Sequence, residues 1–140
     1  MFEKILLAVD GSEHALHAAR VAADLARTVN AKEFRIVVAY DFIPPYLGEP
    51  NLQIAIDARM EESNAILENA VKEAGKLPCE VQTEMLEGSE AEVIVNAAKT
   101  NGSDIIVIGS RGRGRLAGLL LGSTSQKVVA HAPCPVLIVR

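Results

Sequence analysis

Residues that suit an anion are concentrated in one stretch, GSRGRGRLAGLLLGSTS, which runs from Gly109 to Ser125. Glycines let the backbone approach a ligand without a clash from Cβ, while arginine side chains and serine hydroxyls donate hydrogen bonds to phosphate. A run of three leucines at 119–121 lies between the polar residues, and we expect it to anchor the loop to the core. The stretch therefore predicts a phosphate-binding loop rather than a plain linker.

Two familiar phosphate motifs fit this chain poorly. A Walker loop needs G-x-x-x-x-G-K-[ST], but the Gly75-Lys76 pair is followed by Leu77. Residues Gly112–Ala117 match G-x-G-x-x-A, which is typical of a dinucleotide-binding turn. That motif also requires an acidic residue at the end of the next strand. Here the next predicted strand is the last one and ends in Arg140, so a dinucleotide fold is disfavoured.

The glycines follow a longer spacing that spans the whole stretch. Two residues separate Gly109 from Gly112, and nine separate Gly112 from Gly122. The first two glycines would let the chain turn sharply after a strand, and Gly122 would do the same before a helix. The next three residues would then offer free amides and hydroxyls to phosphate at the amino end of that helix. These residues are Ser123, Thr124 and Ser125. The alternative is a capped helix after an ordinary flexible loop.

The elements that must position this stretch follow from the apolar pattern, which predicts five strands. Four of them are nearly continuous apolar runs, as expected for strands covered on both faces. The third alternates apolar and polar residues, which indicates an edge strand. The predicted strands are Lys4–Asp10, Phe34–Asp41, Cys79–Leu86, Asp104–Ser110 and Pro135–Arg140.

Four helical segments alternate with these strands. Ser12 is the predicted N-cap of the first helix, and Gly75 the predicted end of the second. Capping boxes, in which a serine and the residue three positions later cap each other, are expected at Ser89 with Glu92 and at Ser123 with Gln126. The predicted segments are Ser12–Asn30, Asn51–Ala74, Ser89–Thr100 and Ser123–His131.

This alternation predicts one α/β domain over residues 1–140, with helices on both faces of a parallel sheet. Ligands of such folds bind at the carboxyl ends of the strands, where the strand order reverses. The sequence VDGS after the first strand and the glycine–arginine stretch after the fourth both lie at such ends. The segment DFIPPYLGEP, residues 41–50, either flanks this site or is an ordinary loop.

Composition limits the classes of function. The formal net charge is −4, whereas general nucleic-acid binding relies on neutralising phosphates with basic residues. An RNA- or DNA-binding role for the sequence RGRGR is therefore the weakest hypothesis. The amino-terminal apolar run, Ile5 to Val9, is too short for a membrane span or a signal peptide. We expect a soluble, cytoplasmic protein that binds no membrane.

The spacing G-x2-G-x9-G-[ST] resembles the ATP-binding signature of the universal stress protein family. The similarity extends over the chain through ILLAVDGSEHA, DIIVIGSRGRG and LLLGSTSQKVVAHAPCPVLIVR. It implies an adenine nucleotide alpha hydrolase-like fold, which is a doubly wound sheet of strand order 3-2-1-4-5. It also implies the branch of the family that binds ATP, because the other branch lacks these glycines.

The resemblance assigns roles residue by residue. Asp10 would contact the adenine or ribose, Ala39 would line the adenine pocket, and Ile108 precedes the first glycine. Asp10 is also a candidate neighbour of a Mg²⁺ ion bridged to the phosphates, or simply a cap of the first helix together with Ser12. The family pattern does not fix Arg111, Arg113 and Arg115, which either contact phosphate or face water.

The resemblance further implies a homodimer formed through the last strand, Val136 to Arg140, since an unpaired apolar edge is a liability that proteins cover. A nucleotide-dependent regulatory protein of the stress response is the favoured function, with AMP or another adenine nucleotide as possible alternatives to ATP. A slow ATP hydrolase or phosphotransferase is the second hypothesis, but phosphoryl transfer also needs a positioned base and a metal. We predict no catalytic residue.

The remaining reactive side chains suggest no separate site. His14 and His17 share one face of the first helix, but a metal would need further ligands. Cys79 and Cys134 lack metal-ligand spacing, and we expect Cys134 to be buried as a small apolar residue.

Overall fold

A computed structural model describes residues 1–111 and 121–140 of the chain. Within them, five parallel strands form one sheet of order β3-β2-β1-β4-β5. The sheet order confirms the doubly wound α/β fold, and β3 lies at an edge as its alternating sequence predicts. The strands are β1 Lys4–Val9, β2 Glu33–Tyr40, β3 Val81–Glu87, β4 Ile105–Gly109 and β5 Val136–Val139.

Four α-helices in the described part of the chain cover the two faces of the sheet. Buried residues of α1 and α2 join one core cluster with the strands, and those of α3 and α4 join a second cluster on the opposite face. A short 3₁₀ helix, Pro45–Leu47, follows β2. The α-helices are α1 Glu13–Val29, α2 Asn51–Ala74, α3 Glu90–Asn101 and α4 Ser123–His131. No described helix is long and apolar enough to cross a membrane.

Strand β1 is at the centre of the sheet, which extends from it on both sides. It pairs with β2 on one side and with β4 on the other. Its residues Ile5 to Val9 are all buried, which agrees with their continuous apolar pattern. Because all five strands are parallel, their carboxyl ends share one edge of the sheet, and those of the neighbouring strands β2, β1 and β4 lie side by side there.

Helix α1 lies against the sheet through small side chains. Six alanines form its buried face, and five of them, including Ala22, are 0% exposed. Alanine adds little beyond the backbone cylinder, so the helix axis comes close to β1 and β4. Ser12 caps the helix as predicted, because its Oγ accepts a hydrogen bond of 3.2 Å from the Ala15 amide.

Both predicted capping boxes are wrong. Ser89 is the N-cap of α3, but its side chain makes no capping hydrogen bond. The N-cap of α4 is Gly122, so Ser123 is already the first helical residue. The Gln126 side chain donates instead to the Leu121 carbonyl, at 3.0 Å. The four-residue spacing predicted where these helices begin but not the hydrogen bonds of their side chains.

The close contact of α1 generates a stability prediction. Ala22→Leu should lower the free energy of unfolding by about 1–3 kcal/mol, because overpacking a filled interior forces side chains or backbone to shift. The control is Ala58→Leu, which adds the same atoms at an exposed position of α2 and should change stability by less than about 0.5 kcal/mol. Urea unfolding of the three proteins measures both, and equal effects would contradict the packing account.

Candidate functional site

A cavity of about 360 Å³ opens at the carboxyl ends of β1, β2 and β4. Its described lining comes from the ends of these strands, from α2, from the start of α3 and from the amino end of α4. The lining residues are Ala8, Val9, Asp10, Ser12, Ala15, Val38, Ala39, Tyr40, Asp41, Arg59, Glu62, Ser63, Ile66, Gly88, Glu90, Ile108, Gly109, Arg111, Gly122, Ser123, Thr124 and Ser125.

The loop after β1 is a tight turn that carries Asp10 into this cavity. Asp10 Oδ1 accepts a hydrogen bond of 2.9 Å from the Ser12 amide, so the carboxylate is fixed by the start of α1. Gly11 has a φ of 86°, a left-handed conformation that side chains rarely adopt. Asp10 therefore stabilises the turn through a hydrogen bond and also lines the cavity.

Gly109, the last residue of β4, is required for a reason that the sequence did not suggest. A Cβ at this position would lie 2.9 Å from His14 Cβ and 3.0 Å from the His14 carbonyl carbon. The neighbour in conflict is thus the first turn of α1. Absence of a side chain lets the start of α1 approach the end of β4, where Gly109 and Ala15 both line the cavity.

The amino end of α4 forms another wall. Gly122 has a φ of −74° and a ψ of 167°, an extended conformation open to any residue, so the predicted sharp turn is not what requires glycine here. In an α-helix the first amides have no acceptor within the helix. The amides of Ser123, Thr124 and Ser125 occupy these positions, beside the cavity.

Ser110 joins this helix end to the sheet. Its amide donates to the Val139 carbonyl at 2.6 Å, and its carbonyl accepts from the Gly122 amide at 2.7 Å. The Ser125 hydroxyl reaches the same Ser110 carbonyl at 3.0 Å and the Gly122 carbonyl at 3.0 Å. These bonds set the position of the α4 amides relative to β4 and β5.

Most of the predicted site residues line the cavity. Eight of the nine lie in the cavity wall: Asp10, Ala39, Ile108, Gly109, Gly122, Ser123, Thr124 and Ser125. Gly112, Arg113, Arg115, Leu119 and Leu120 lie outside the described residues. Arg111, whose role the sequence left open, also lines the cavity. Of the proline-rich segment 41–50, only Asp41 is among the described lining residues.

Helix α2 supplies a wall that sequence reasoning missed. Four of its residues line the cavity at helical spacing, namely Arg59, Glu62, Ser63 and Ile66. Three of the four are polar, and Ser63 is nonetheless only 3% exposed. The signal in the sequence was this serine, which occupies a position in the apolar stripe of α2 together with Leu67, Ala70 and Ala74.

The described lining carries more negative than positive charge. Four carboxylates face two guanidinium groups: Asp10, Asp41, Glu62 and Glu90 against Arg59 and Arg111. Arg59 Nη1 lies 3.5 Å from Glu62 Oε2, both being about half exposed, so this arginine is shared with a carboxylate. An anion in the cavity would therefore depend on the α4 amides as well as on arginine side chains.

The two histidines of α1 connect this helix to the ends of β4 and β5. His14 Nδ1 lies 3.4 Å from Ser110 Oγ, and His17 Nδ1 forms a hydrogen bond with the backbone oxygen of Arg140. Across residues 1–111 and 121–140, no group of three His, Cys, Asp or Glu side chains is arranged to hold a metal. Ser110 is only 2% exposed and is absent from the described cavity lining, so its contact with His14 is structural.

Both cysteines lie away from the cavity. Cys79 and Cys134 are free thiols and only half-buried, so Cys134 is less buried than predicted. Burial raises the pKa of both thiols, and nearby carboxylates, Glu33 for Cys79 and Asp104 for Cys134, raise it further. A raised thiol pKa disfavours the reactive thiolate.

Comparisons with known proteins agree with this geometry. The model of the universal stress protein family matches residues 1–140. A universal stress protein of Thermus aquaticus is 46% identical over the full length of both chains. The structure of UspA from Lactobacillus plantarum aligns with a TM-score of 0.86 at 27% identity, covering 99% of this chain and 98% of that one. A universal stress protein solved in complex with cAMP aligns with a TM-score of 0.74 at 27% identity, covering 97% and 95%.

Ser125 offers a test of the junction at the cavity wall. Ser125→Ala should lower the free energy of unfolding by about 1–3 kcal/mol, because it leaves the buried Ser110 carbonyl with one hydrogen bond fewer. Ser123→Ala removes a hydroxyl from an exposed position of the same helix and should cost less than about 0.5 kcal/mol. Chemical denaturation distinguishes the two, and a Ser125→Ala protein as stable as Ser123→Ala would contradict the assigned hydrogen bonds.

Proposed function

The chain belongs to the universal stress protein family, and from that premise we propose that it binds an adenine nucleotide, with ATP as the favoured ligand, and acts as a nucleotide-dependent regulatory protein of the stress response. The observation that carries the proposal is the amino end of α4, where the first three residues of the helix line a cavity at the switch point of the sheet. Such amides and the helix dipole favour phosphate.

The remaining wall suits the rest of a nucleotide. Ala39 and Ile108 lie at the ends of β2 and β4 and present apolar surface for a flat base. Asp10, held by the Ser12 amide, would accept a hydrogen bond from a ribose hydroxyl, since a carboxylate oxygen accepts hydrogen bonds. A similar protein bound cAMP in its crystal structure, which supports an adenine ligand in this fold.

The negative charge of the cavity lining favours binding of ATP together with a cation. Four carboxylates in the described lining oppose a polyphosphate anion, and a divalent cation would reduce that repulsion. Mg²⁺ is commonly held by one or two carboxylates together with substrate phosphates. Asp10 is the residue that would hold it here, and in that role the ion would neutralise phosphate charge.

Nucleotide binding can be tested with one substitution at the wall of the cavity. Gly122→Val keeps a backbone conformation that valine tolerates but adds bulk beside the α4 amides. We expect it to weaken ATP binding by more than about tenfold while the circular dichroism spectrum stays unchanged. Calorimetric titration with ATP, with and without Mg²⁺, measures the effect.

The matched control is Ala130→Val, which adds bulk at an exposed position of the same helix and should bind ATP like the wild type. If the wild type binds no adenine nucleotide, with none released on denaturation, the proposal fails. Steady phosphate release that Asp10→Ala abolishes would favour the alternative hypothesis of a slow ATP hydrolase.

A homodimer through β5 is also part of the proposal. On the far side of β5 from β4, no described strand of the chain pairs with it. Val136, Leu137 and Ile138 are only half-buried, which leaves an apolar edge that a second copy could cover. The cytoplasmic location stays a prediction.

The dimer can be tested by sedimentation at micromolar concentration, where we expect twice the mass of the chain. Ile138→Lys places a charge on the edge, which is how natural sheets keep edges unpaired, and should shift the mass to that of a monomer. A wild-type monomer would contradict the dimer, and a dimer that survives Ile138→Lys would place its interface elsewhere.

A further inference from the structure

Helix α2 and helix α4 contribute different walls of the cavity. Helix α2 packs on α1 and β2, whereas α4 packs on α3 and β5. Since β2 and β5 lie on opposite sides of β1 in the sheet, these two helices bound opposite ends of the site. A nucleotide whose phosphates contact the α4 amides therefore extends its base towards β2 and α2.

Ser63 is the buried polar group of this wall. It lies in the same stripe as the buried residues Leu67, Ala70 and Ala74, at a position where an apolar residue would be expected from the helical pattern. Only 3% of its surface is exposed. A hydroxyl at such a position is costly unless it has a hydrogen-bond partner.

Within residues 1–111 and 121–140 the Ser63 hydroxyl makes no hydrogen bond. A helical serine commonly donates to the carbonyl four residues earlier, as Thr28 does to Asp24 at 2.8 Å, but Ser63 does not. The one fully enclosed side-chain atom without a partner in this part of the chain is Arg35 Nε. The Ser63 hydroxyl is therefore not sealed in the core, and the space that its residue lines is the cavity.

The neighbours of Ser63 in the wall fit a base rather than a phosphate. Ile66 follows it on the same helix face, and Val38 and Ala39 lie at the end of β2. These residues offer apolar surface to a ring, with one hydroxyl among them. A purine presents hydrogen-bond donors and acceptors at its edge, and a serine hydroxyl can pair with either kind.

We propose that Ser63 is a specificity-determining residue that hydrogen-bonds the edge of the bound base. The inference rests on the proposed function, because it takes the ligand of this cavity to be a nucleotide. It explains why α2 keeps a serine in its apolar stripe: the partner of the hydroxyl is the ligand. The residue contributes to recognition of the base and leaves the phosphates to α4.

The experiment compares two ligands in wild type and Ser63→Ala. AMP carries the base, whereas inorganic triphosphate offers only phosphate to the α4 amides. Ser63→Ala should weaken AMP binding by about fivefold, the loss typical of one hydrogen bond, and leave triphosphate binding unchanged. Alanine is the strongest helix former, so α2 should remain intact.

Ser103→Ala is the matched control, since Ser103 is buried at 9% exposure and is not among the described cavity residues. It should bind both ligands like the wild type. Equal weakening of AMP and triphosphate by Ser63→Ala, or unchanged AMP binding, would overturn the role of Ser63 and leave the nucleotide site standing. A wild type that binds neither AMP nor ATP would overturn the proposed function, and this inference with it.

Discussion

The site depends on the backbone of one buried residue, Ser110. Its amide bonds the end of β5 and its carbonyl bonds the start of α4, so the two carboxyl-terminal elements are both fixed to β4 at one point. The Ser125 hydroxyl adds a second bond to the same carbonyl. Helix amides can select an anion only if the helix end does not move, and here that end is attached by hydrogen bonds in a nearly water-free position, where an unmade bond is costly.

A second constraint comes from the small residues at the contact between α1 and the sheet. Its alanine face lets the helix approach β1 and β4, and Gly109 removes the one Cβ that would collide with His14. The turn that carries Asp10 is held at the start of the same helix. The packing of α1 thus determines the position of Asp10. The same small side chains are therefore needed for the core and for the site.

Most of the fold was predictable because it follows from local pattern. Apolar periodicity located every described strand and α-helix, and in a parallel sheet it also located the edge where ligands bind. The capping boxes failed because residue spacing does not determine which partner a side chain takes: Gly122 is the N-cap of α4, and the Gln126 side chain donates to the Leu121 carbonyl. The wall of α2 was missed for a related reason. A helical pattern shows which face is buried, but the part of that face that reaches the sheet edge depends on how the helix lies across the sheet.

The acidic lining gives the proposed site its selectivity. If several lysines held the phosphates, any anion of sufficient charge would bind, because point charges impose little geometry. In this cavity carboxylates outnumber guanidinium groups among the described residues, so a phosphate would depend on the α4 amides as well as on arginine side chains. A ligand must then gain further free energy at its other end, from the apolar wall and the single hydroxyl of α2. Since α2 and α4 pack on opposite faces of the sheet, the proposed contacts with phosphate and base come from separate parts of the fold.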